Sequence, residues 1–434
     1  MEGDLIITGG RPLNGTVRIP AAKNSVLPLL AASLLCSSPV RLRAVPELAD
    51  VDTSLQLLQS AGCEAGWQGS DIVVQGVPGV CRLGADAAAR MRASILFCAP
   101  LLVRLGRAET VLPGGCRIGA RPVDLHLSGL AQMGAVCRAE GERLILTAPS
   151  GLHGAEITLR FPSVGATETL LLAAAAAQGK TVLRGAAREP EIVDLAAFLN
   201  RCGACVQGAG SSTIRVEGRR SLSGCSFAPM ADRIVASTFA CACAAAGGWV
   251  ELTGCAPEIY RPLLEILEQM GCGVKYGPES VVVSRFGRLH GAGKVFTGVY
   301  PALATDAAPL LAAAMLTADS ESSIEDVVFE RRFACAEGFA AFGGRVCTEG
   351  RTLCILPCTG LKGANTAAPD LRGGAALVIA ALAAKGKSRV TNTALIDRGY
   401  AGFAPMLAEL GSEIRRETRP SDGTEKKRHA KNQF

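Results

Sequence analysis

Leu130-Ala131-Gln132-Met133-Gly134 is one of six copies of a sequence motif in this chain of 434 residues. In each copy an apolar, helix-like run ends at a glycine and leads into a strand-like run, and the copies recur about every 70 residues. The six glycines are Gly62, Gly134, Gly203, Gly271, Gly343 and Gly411. Glycine at this place fits a helix C-cap, because it adopts the left-handed backbone conformation without strain.

A second sequence motif recurs upstream of several of these glycines. It is an Ala-rich helix, a small turn and a short β-branched strand, as in Ala177 to Leu183 and Ala383 to Val390. Each unit therefore predicts two helices and several strands in the order βαβαββ. Helices that are apolar nearly all round, such as the one containing Leu170 to Ala177, are expected to be buried. Six units predict an α/β fold of two domains with three units each, helices inside and sheets outside.

Size and charge restrict the class of protein. The chain exceeds the length at which a single core stops growing, and 49% of its residues are hydrophobic, 19% charged and 4% aromatic. Its net charge is +6, but Thr418 to Phe434 holds five basic residues against two acidic ones and supplies +3 of it. We expect this tail, at 418–434, to be disordered. The remainder is mildly basic, which fits small anionic ligands better than a nucleic-acid groove.

Cysteine usage and the absence of a leader predict a reducing compartment. The chain has 17 cysteines and four scattered histidines, and its start, Met1 to Asp4, lacks the basic region of a signal peptide. The apolar run Val26 to Leu35 is too short to span a bilayer, so we expect no membrane insertion and a cytoplasmic protein with reduced thiols. Cys202-Gly203-Ala204-Cys205 fits a redox pair or apolar filler, and filler is favoured because similar junctions carry single cysteines. Those are Cys63, Cys137 and Cys272. No histidine spacing predicts a metal site.

The stretch from Pro113 to His126 predicts a loop that leaves a strand and presents one thiol. Cys116 lies between Arg117 and Arg121, among glycine amides. Nearby cations and amides stabilise a thiolate and make a cysteine reactive. Two interpretations remain open from these residues alone: a reactive cysteine, or a glycine-rich turn with an incidental thiol.

Cationic residues recur at loop positions in both halves of the chain. Lys23 precedes the first helix, where the helix dipole and free amides favour an anion. Arginines occur in further short polar segments within apolar sequence, and each alone could form a salt bridge or cap a helix. Since arginine binds carboxylate and phosphate by paired hydrogen bonds, their convergence would form an anion-selective cleft. The arginines are Arg92, Arg188, Arg233, Arg331, Arg332, Arg372 and Arg398.

These loops carry a resemblance to a known family. In order along residues 3 to 417, the motifs are Ala22-Lys23-Asn24, Met91-Arg92-Ala93-Ser94, Leu112 to His126, Ser163 to Thr167, Arg188 to Asp194, Asp370-Leu371-Arg372 and Asp397-Arg398-Gly399-Tyr400. They resemble the enolpyruvyl transferases of the UDP-N-acetylglucosamine 1-carboxyvinyltransferase family. The match over Pro113 to His126 is the most specific.

The resemblance implies a fold and a reaction. The fold is a two-domain inside-out α/β barrel, with one domain at 23–230, a second at 1–22 plus 231–417, and the active site between them. The enolpyruvyl group of phosphoenolpyruvate would move to the 3'-hydroxyl of UDP-N-acetylglucosamine with release of phosphate. This is the first committed step of peptidoglycan synthesis, which links the protein to cell wall biogenesis, cell shape, the cell cycle and cell division. Neither a metal nor another cofactor is expected, and the oligomeric state is not implied.

The resemblance also implies roles for individual residues. Cys116 is the general acid and the target that fosfomycin would alkylate, so Cys116→Ala is expected to lose most activity. Asp306 is the base near the 3'-hydroxyl, and Lys23 and Arg398 join these two as catalytic residues. The cations around phosphate and carboxylate are Lys23, Arg92, Arg121, Arg332, Arg372 and Arg398. The nucleotide sugar is held by Asn24, Arg121, Pro122, Val123, Asp124, Leu125, Ser163, Val164, Gly165, Asp306 and Val328.

Three departures from the family pattern keep alternatives open. Tyr300 to Pro309 keeps Thr305-Asp306 but lacks the usual Phe-Pro before it and Met-Gln after it. Arg331 replaces a usual Asn, and Gly373-Gly374 replaces a run that commonly contains Ala or Ser. A weakly active or non-catalytic UDP-sugar-binding paralogue is therefore one alternative. A sister enzyme acting on shikimate 3-phosphate is another, although that enzyme does not use the Cys116 loop.

Overall fold

The computed structural model describes residues 3–112 and 123–418. The Cys116 loop, including Arg121 and Pro122, and the tail from 419 onwards lie outside the described residues. The strands are β1 (Asp4–Gly9), β2 (Leu13–Arg18), β3 (Val40–Leu42), β4 (Glu64–Gln68), β5 (Asp71–Gln75), β6 (Arg107–Val111), β7 (Val136–Glu140), β8 (Arg143–Thr147), β9 (Glu156–Thr158), β10 (Lys180–Arg184), β11 (Cys205–Gln207), β12 (Thr213–Glu217), β13 (Ser226–Phe227), β14 (Gly248–Thr253), β15 (Gly273–Tyr276), β16 (Ser280–Arg285), β17 (Gly293–Phe296), β18 (Ser322–Glu325), β19 (Arg345–Glu349), β20 (Thr352–Leu356), β21 (Asn365–Ala367), β22 (Gly386–Thr391) and β23 (Glu413–Glu417).

Helices alternate with these strands along the chain. They are α1 (Lys23–Ser33), α2 (Ala49–Ser60), α3 (Ala85–Arg90), α4 (Cys98–Leu105), α5 (Asp124–Gln132), α6 (Val164–Ala176), α7 (Pro190–Arg201), α8 (Arg233–Ala246), α9 (Arg261–Gln269), α10 (Ala308–Met315), α11 (Ala336–Ala341), α12 (Leu371–Ala383), α13 (Ala394–Asp397) and α14 (Phe403–Glu409). Short 3₁₀ turns precede α4, α9 and α10. No helix among the described residues is long and apolar enough to cross a membrane.

The predicted βαβαββ unit is seen without interruption in β17-α10-β18-α11-β19-β20. Its sheet has the order β17-β18-β20-β19, with β17 parallel to β18 and the other pairs antiparallel. Four other sheets repeat this order: β9-β10-β12-β11, β2-β14-β16-β15, β13-β3-β5-β4 and β21-β22-β1-β23. The sixth, β6-β8-β7, has three described strands. The structure thus confirms the fold class predicted from the repeat.

Three of these sheets are completed by strands that are distant in sequence. β1 lies between β22 and β23, so that Leu5 pairs with both Val390 and Arg416. β2 lies parallel to β14, and β13 lies parallel to β3. Because β1 and β2 fill positions that the later units leave open, the N-terminal segment packs with the second half of the chain.

Two hydrophobic cores lie beneath the sheets. The first core draws its buried residues from 26–222, and the second core draws them from 5–19 and 234–410. Helix α6 is buried along most of its length, and α8, α10 and α12 pack against one another in the second core. Apolar residues all round a helix require such a position, because any exposed face would leave them in water. The domain limits of 23–230 and 231–417 remain a prediction.

The chain passes between the two cores at two adjacent places. The amide of Ala22 donates to the carbonyl of Met230 at 2.7 Å, and the amide of Asp232 donates to the carbonyl of Pro20 at 2.8 Å. The carboxylate of Asp232 caps α8 and also accepts a hydrogen bond from the backbone amide of Lys23 at 3.3 Å. The helices α1 and α8 therefore begin side by side, one in each core.

The six repeat glycines adopt the predicted left-handed conformation. Their φ values lie between 86° and 101°. The residue after each glycine donates its amide to a carbonyl five residues earlier, as Ala135 does to Leu130 at 3.0 Å and Cys63 to Leu58 at 3.1 Å. This is the Schellman arrangement, which satisfies carbonyls at the end of a helix. The repeat therefore marks the points where outer helices end and strands begin.

Gly411→Ala is expected to destabilise the fold through backbone strain alone. A Cβ at Gly411 would meet no atom within 4 Å, but its φ of 91° disfavours any L side chain. We expect a loss of about 1 kcal/mol in the free energy of unfolding, measured by urea denaturation. Gly66→Ala is the matched control, because Gly66 is equally open but lies in β4 without a positive φ. Equal stability of the two variants would contradict the assignment of strain to the positive φ of Gly411.

Cys202 and Cys205 of the CxxC motif are both free thiols. The Sγ of Cys202 lies 3.5 Å from that of Cys225, which is outside the motif. A hydrogen bond with Cys36 and burial raise the pKa of the Cys202 thiol. The counterparts Cys63 and Cys272 are buried as well. These contacts agree with the interpretation of Cys202 as apolar filler.

Candidate active site

A cavity of about 800 Å³ lies between the two cores. It is lined by almost all of the predicted site residues that the structure describes. From the first half of the chain these are Lys23, Asn24, Arg92, Asp124, Leu125, Ser163, Val164 and Gly165; from the second they are Asp306, Val328, Arg332, Arg372 and Arg398. Val123 does not line the cavity, and its side chain packs against the first core. Residues separated by up to 375 positions are thus brought to one place.

Helix N-termini point several of these residues into the cavity. Ser163 caps α6 by accepting a hydrogen bond from the amide of Ala166 at 3.3 Å. Asp370 caps α12 and accepts from the amides of Arg372 and Gly373 at 3.0 and 2.9 Å. Lys23 is the first residue of α1. Because helix N-termini carry partial positive charge, their convergence adds to the cationic field of the side chains.

Asp306 is held between two buried guanidinium groups. Its Oδ1 accepts from Nη2 of Arg332 at 2.9 Å, and its Oδ2 accepts from Nε of Arg372 at 3.1 Å. Burial opposes ionisation of Asp306, but the charges of Arg372 and Arg332 outweigh it and lower its pKa well below the ordinary range. Asp306 is therefore a carboxylate at neutral pH and, while both arginines hold it, a weak base.

Arg372 has donor capacity to spare. Its side chain is 3% exposed, and its Nη1 is buried without a hydrogen-bond partner among the described residues. The guanidinium lies 5.2 Å from the ring centroid of Tyr400, whose hydroxyl is 2.8 Å from that of Thr238. A buried donor without an acceptor is costly, so this group is suited to a ligand oxygen. Tyr400, which stacks under Arg372, was part of a motif but was not predicted as a site residue.

The loop that carries Arg332 is organised by an acid that the sequence did not reveal. Asp326 is fully buried, and its Oδ1 accepts from the amides of Val328 and Phe329 at 2.9 and 2.7 Å. Its other oxygen accepts from the hydroxyl of Thr305. Thr305 in turn accepts from Nε of Arg332 at 2.9 Å. Asp326 therefore fixes Val328 and Arg332 relative to the turn that bears Asp306.

One side of the cavity is acidic rather than cationic. Glu191 accepts from Nε of Arg233 at 3.0 Å, and both side chains are buried. One carboxylate oxygen of Glu189 is buried without a partner in the described part of the chain. Burial and the charges of Glu191 and Glu189 raise the pKa of Glu168 well above its ordinary value. Such a surface suits hydroxyl groups better than anions.

His126 is a buried neutral side chain at the wall of the cavity. Burial and Arg92 lower its pKa to about 4, and its Nδ1 lies 2.8 Å from the hydroxyl of Thr169. A Cβ added to Gly165 would lie 3.0 Å from the imidazole. Gly165 therefore allows α5 to approach the start of α6. Across residues 3–112 and 123–418, no group of three or more His, Cys, Asp or Glu side chains is arranged to hold a metal ion.

The residues that depart from the family pattern lie in three different environments. Tyr300 lines the cavity, with the guanidinium of Arg233 5.7 Å from its ring centroid. Arg331 is exposed and does not line the cavity. A Cβ on Gly374 would lie 2.7 Å from Ile396. The glycine therefore lets α12 approach α13, the short helix after which Arg398 follows.

Comparison with known proteins defines the class of enzyme. The family model described as EPSP synthase (3-phosphoshikimate 1-carboxyvinyltransferase) matches residues 7–407. The chain therefore belongs to this family of enolpyruvyl (carboxyvinyl) transferases. The crystal structure of the enolpyruvyl transferase NikO from Streptomyces tendae aligns with a TM-score of 0.85 at 27% identity, covering 96% of this chain and 100% of NikO. EPSP synthase from Acinetobacter baumannii shares the fold, with a TM-score of 0.73 at 17% identity over 96% of this chain and 100% of that one.

Within the family, two similar relatives carry the same name. UDP-N-acetylglucosamine 1-carboxyvinyltransferase of Finegoldia magna is 42% identical over 93% of this chain and 96% of its own length. The enzyme of the same name from Acidiphilium cryptum is 43% identical over 94% of this chain and 98% of its own length. The resemblance found in the loop motifs is thereby confirmed, and the chain is an enzyme of this kind.

Proposed function

We propose that this chain transfers the enolpyruvyl group of phosphoenolpyruvate to the 3'-hydroxyl of UDP-N-acetylglucosamine and releases phosphate. The observation that carries the proposal is the position of Asp306 between Arg332 and Arg372, beside the Nη1 of Arg372 that has no partner within residues 3–112 and 123–418. A base and a buried anion-binding group thus face one cavity. The relatives' shared name supports this choice of substrates over shikimate 3-phosphate.

In the proposed reaction the cations have two tasks. Lys23, Arg92, Arg332, Arg372 and Arg398 would bind the phosphate and carboxylate of phosphoenolpyruvate and stabilise the charge that develops during addition. When Arg332 and Arg372 turn to the substrate, Asp306 loses the charges that lower its pKa. Asp306 then becomes a stronger base for the proton of the 3'-hydroxyl. Anion binding and activation of the base would be coupled in this way.

The remaining groups would hold the nucleotide sugar and supply the proton that adds to the methylene carbon of phosphoenolpyruvate. We assign the acidic side of the cavity, with Glu168 and Glu189, to the hydroxyl-bearing part of the sugar. Cys116 stays the proposed general acid and fosfomycin target, and Arg121 and Pro122 stay proposed nucleotide contacts; all three lie outside the described residues. Cys116 and Asp306 belong to different halves of the chain, so the proposed reaction needs groups from both halves.

The proposed cellular role follows from the reaction. It is the first committed step of peptidoglycan synthesis, and thereby serves cell wall biogenesis, cell shape and cell division. The free thiols of the described cysteines fit a reducing, cytoplasmic location. The proposed domain limits are 23–230 for the half that carries the Cys116 loop, and 1–22 with 231–417 for the other.

Phosphate release tests the proposed function directly. Purified protein is incubated with phosphoenolpyruvate alone, with UDP-N-acetylglucosamine, and with shikimate 3-phosphate as the control acceptor. We expect release that depends on the nucleotide sugar. Release only with shikimate 3-phosphate would establish the sister activity. Binding of the nucleotide sugar without release would establish a non-catalytic paralogue.

A further inference from the structure

Asp50 makes a buried contact between two cations of the cavity. It lies in the first turn of α2, and its side chain is 7% exposed. Its Oδ2 accepts from Nζ of Lys23 at 3.2 Å, and its Oδ1 accepts from Nε of Arg398 at 2.9 Å. Nη2 of Arg398 lies 3.4 Å from Oδ2 and 3.5 Å from the carbonyl oxygen of Arg90. One carboxylate thus binds both cationic side chains.

This contact also joins the two halves of the molecule. Lys23 and Asp50 belong to helices of the first core, whereas Arg398 follows α13 in the second half. The carbonyl of Arg90 belongs to the first half too, so the guanidinium of Arg398 is docked on that half. The separation of Lys23 from Arg398 is therefore set by the position of Asp50.

The charges explain why an acid is needed here. Burial, Arg372 and Arg398 all lower the pKa of Lys23, and Asp50 opposes them through its charge and its hydrogen bond. Without the carboxylate, the buried Lys23 and the partly exposed Arg398 would face each other unpaired, which is unfavourable. The ammonium could then escape the repulsion by losing its proton. Asp50 therefore keeps the pair both close together and charged.

We propose that Asp50 is a positioning residue of the transferase, which holds Lys23 and Arg398 side by side as one cationic pair directed at the substrate anion. The inference rests on the proposed function, because it assigns the pair to the phosphate or carboxylate of phosphoenolpyruvate. Asp50 itself stays bound to both cations when the substrate binds. This distinguishes it from Asp306, which the substrate releases from its arginines.

The test compares Asp50→Asn with Asp52→Asn. Asp52 lies in the same turn of α2, but it is exposed and accepts a hydrogen bond from the indole of Trp67 at 3.0 Å. We expect Asp50→Asn to lower kcat/KM for phosphoenolpyruvate about 10- to 100-fold. Its activity at about pH 9, relative to about pH 7, should fall further than that of wild type, because Lys23 loses its proton more easily. Asp52→Asn should match wild type in both respects.

A second measurement does not depend on the reaction. Acetic anhydride acylates neutral amines, so the rate of acylation of Lys23, followed by peptide mass spectrometry, reports how readily its proton is lost. We expect this rate to rise several-fold in Asp50→Asn and to stay unchanged in Asp52→Asn. If wild type releases no phosphate, the proposed function fails while the acylation rate still tests the contact.

Two results with Asp50→Asn would overturn the inference. The first is an active wild type with an Asp50→Asn variant that equals it in kinetics and in acylation of Lys23. The second is tighter binding of inorganic phosphate by Asp50→Asn, which would show that Asp50 only occupies the substrate's place. Should Asp50→Asn not fold, Asp50→Glu keeps the charge and is expected to retain the wild-type pH profile with a lower kcat/KM. A profile shifted in Asp50→Glu would also overturn it.

Discussion

Asp306→Asn is expected to lower kcat for phosphate release about 10²- to 10⁴-fold, the range that general acid–base catalysis contributes. The amide has nearly the shape of the carboxylate but cannot take a proton from the 3'-hydroxyl. Because Arg332 and Arg372 lose the charge that now neutralises them, the variant should bind phosphoenolpyruvate at least as tightly as wild type. Steady-state kinetics and calorimetric binding of phosphoenolpyruvate separate the two effects.

Asp319→Asn provides the control for this prediction. Asp319 belongs to the same half of the molecule and pairs with the exposed His290, away from the cavity. We expect the control to keep wild-type activity. Retention of more than about a tenth of kcat by Asp306→Asn would reject Asp306 as the base.

Arg372→Lys is expected to lower kcat/KM for phosphoenolpyruvate about 10²-fold or more. Nε of Arg372 donates to Asp306, its Nη1 has no hydrogen-bond partner among the described residues, and its guanidinium lies over the ring of Tyr400. A lysine ammonium is a single point charge that cannot present the paired, planar donors with which a guanidinium binds a carboxylate or phosphate. The dissociation constant of UDP-N-acetylglucosamine, measured by calorimetry, should change little.

The chain offers a closely matched control for Arg372→Lys. Arg261 also combines carboxylate partners, Glu258 and Glu265, with a tyrosine ring, at 4.8 Å from the centroid of Tyr276. It lies at the surface, so Arg261→Lys should leave both kinetic parameters unchanged. Equal losses in the two variants would mean that Arg372 acts through stability and has no role in binding the anion.

Coupling between Arg372 and Asp306 has a mechanistic consequence. The arginines that would bind phosphoenolpyruvate are the groups that keep the pKa of Asp306 low. A site without substrate would therefore hold Asp306, the proposed base, in an inactive pairing. The same pairing offsets part of the charge of two buried cations until an anion arrives.

The architecture could be predicted from the sequence because it depends on local signals. The glycines at 62, 134, 203, 271, 343 and 411 each end a helix through contacts within six residues. The repeat can therefore be recognised in the amino-acid sequence. The buried helices were equally visible, since α6 is apolar on every face. Motifs around Lys23, Arg372 and Arg398 were recognised as polar residues in apolar surroundings, whereas the family resemblance supplied the Ser163 motif and all of the proposed roles.

Other features were decided only by the tertiary structure. Asp50 is one acid among several in α2, and nothing near it in sequence distinguishes it from Asp52. Its partner Arg398 is 348 residues away. Likewise β1 completes a sheet with β22 and β23, and Tyr400 lies beneath Arg372 because α8 supports it through Thr238. Local sequence determines where helices begin and end, whereas the pairing of buried charges depends on burial and on distances between remote segments, which exist only once the chain has folded.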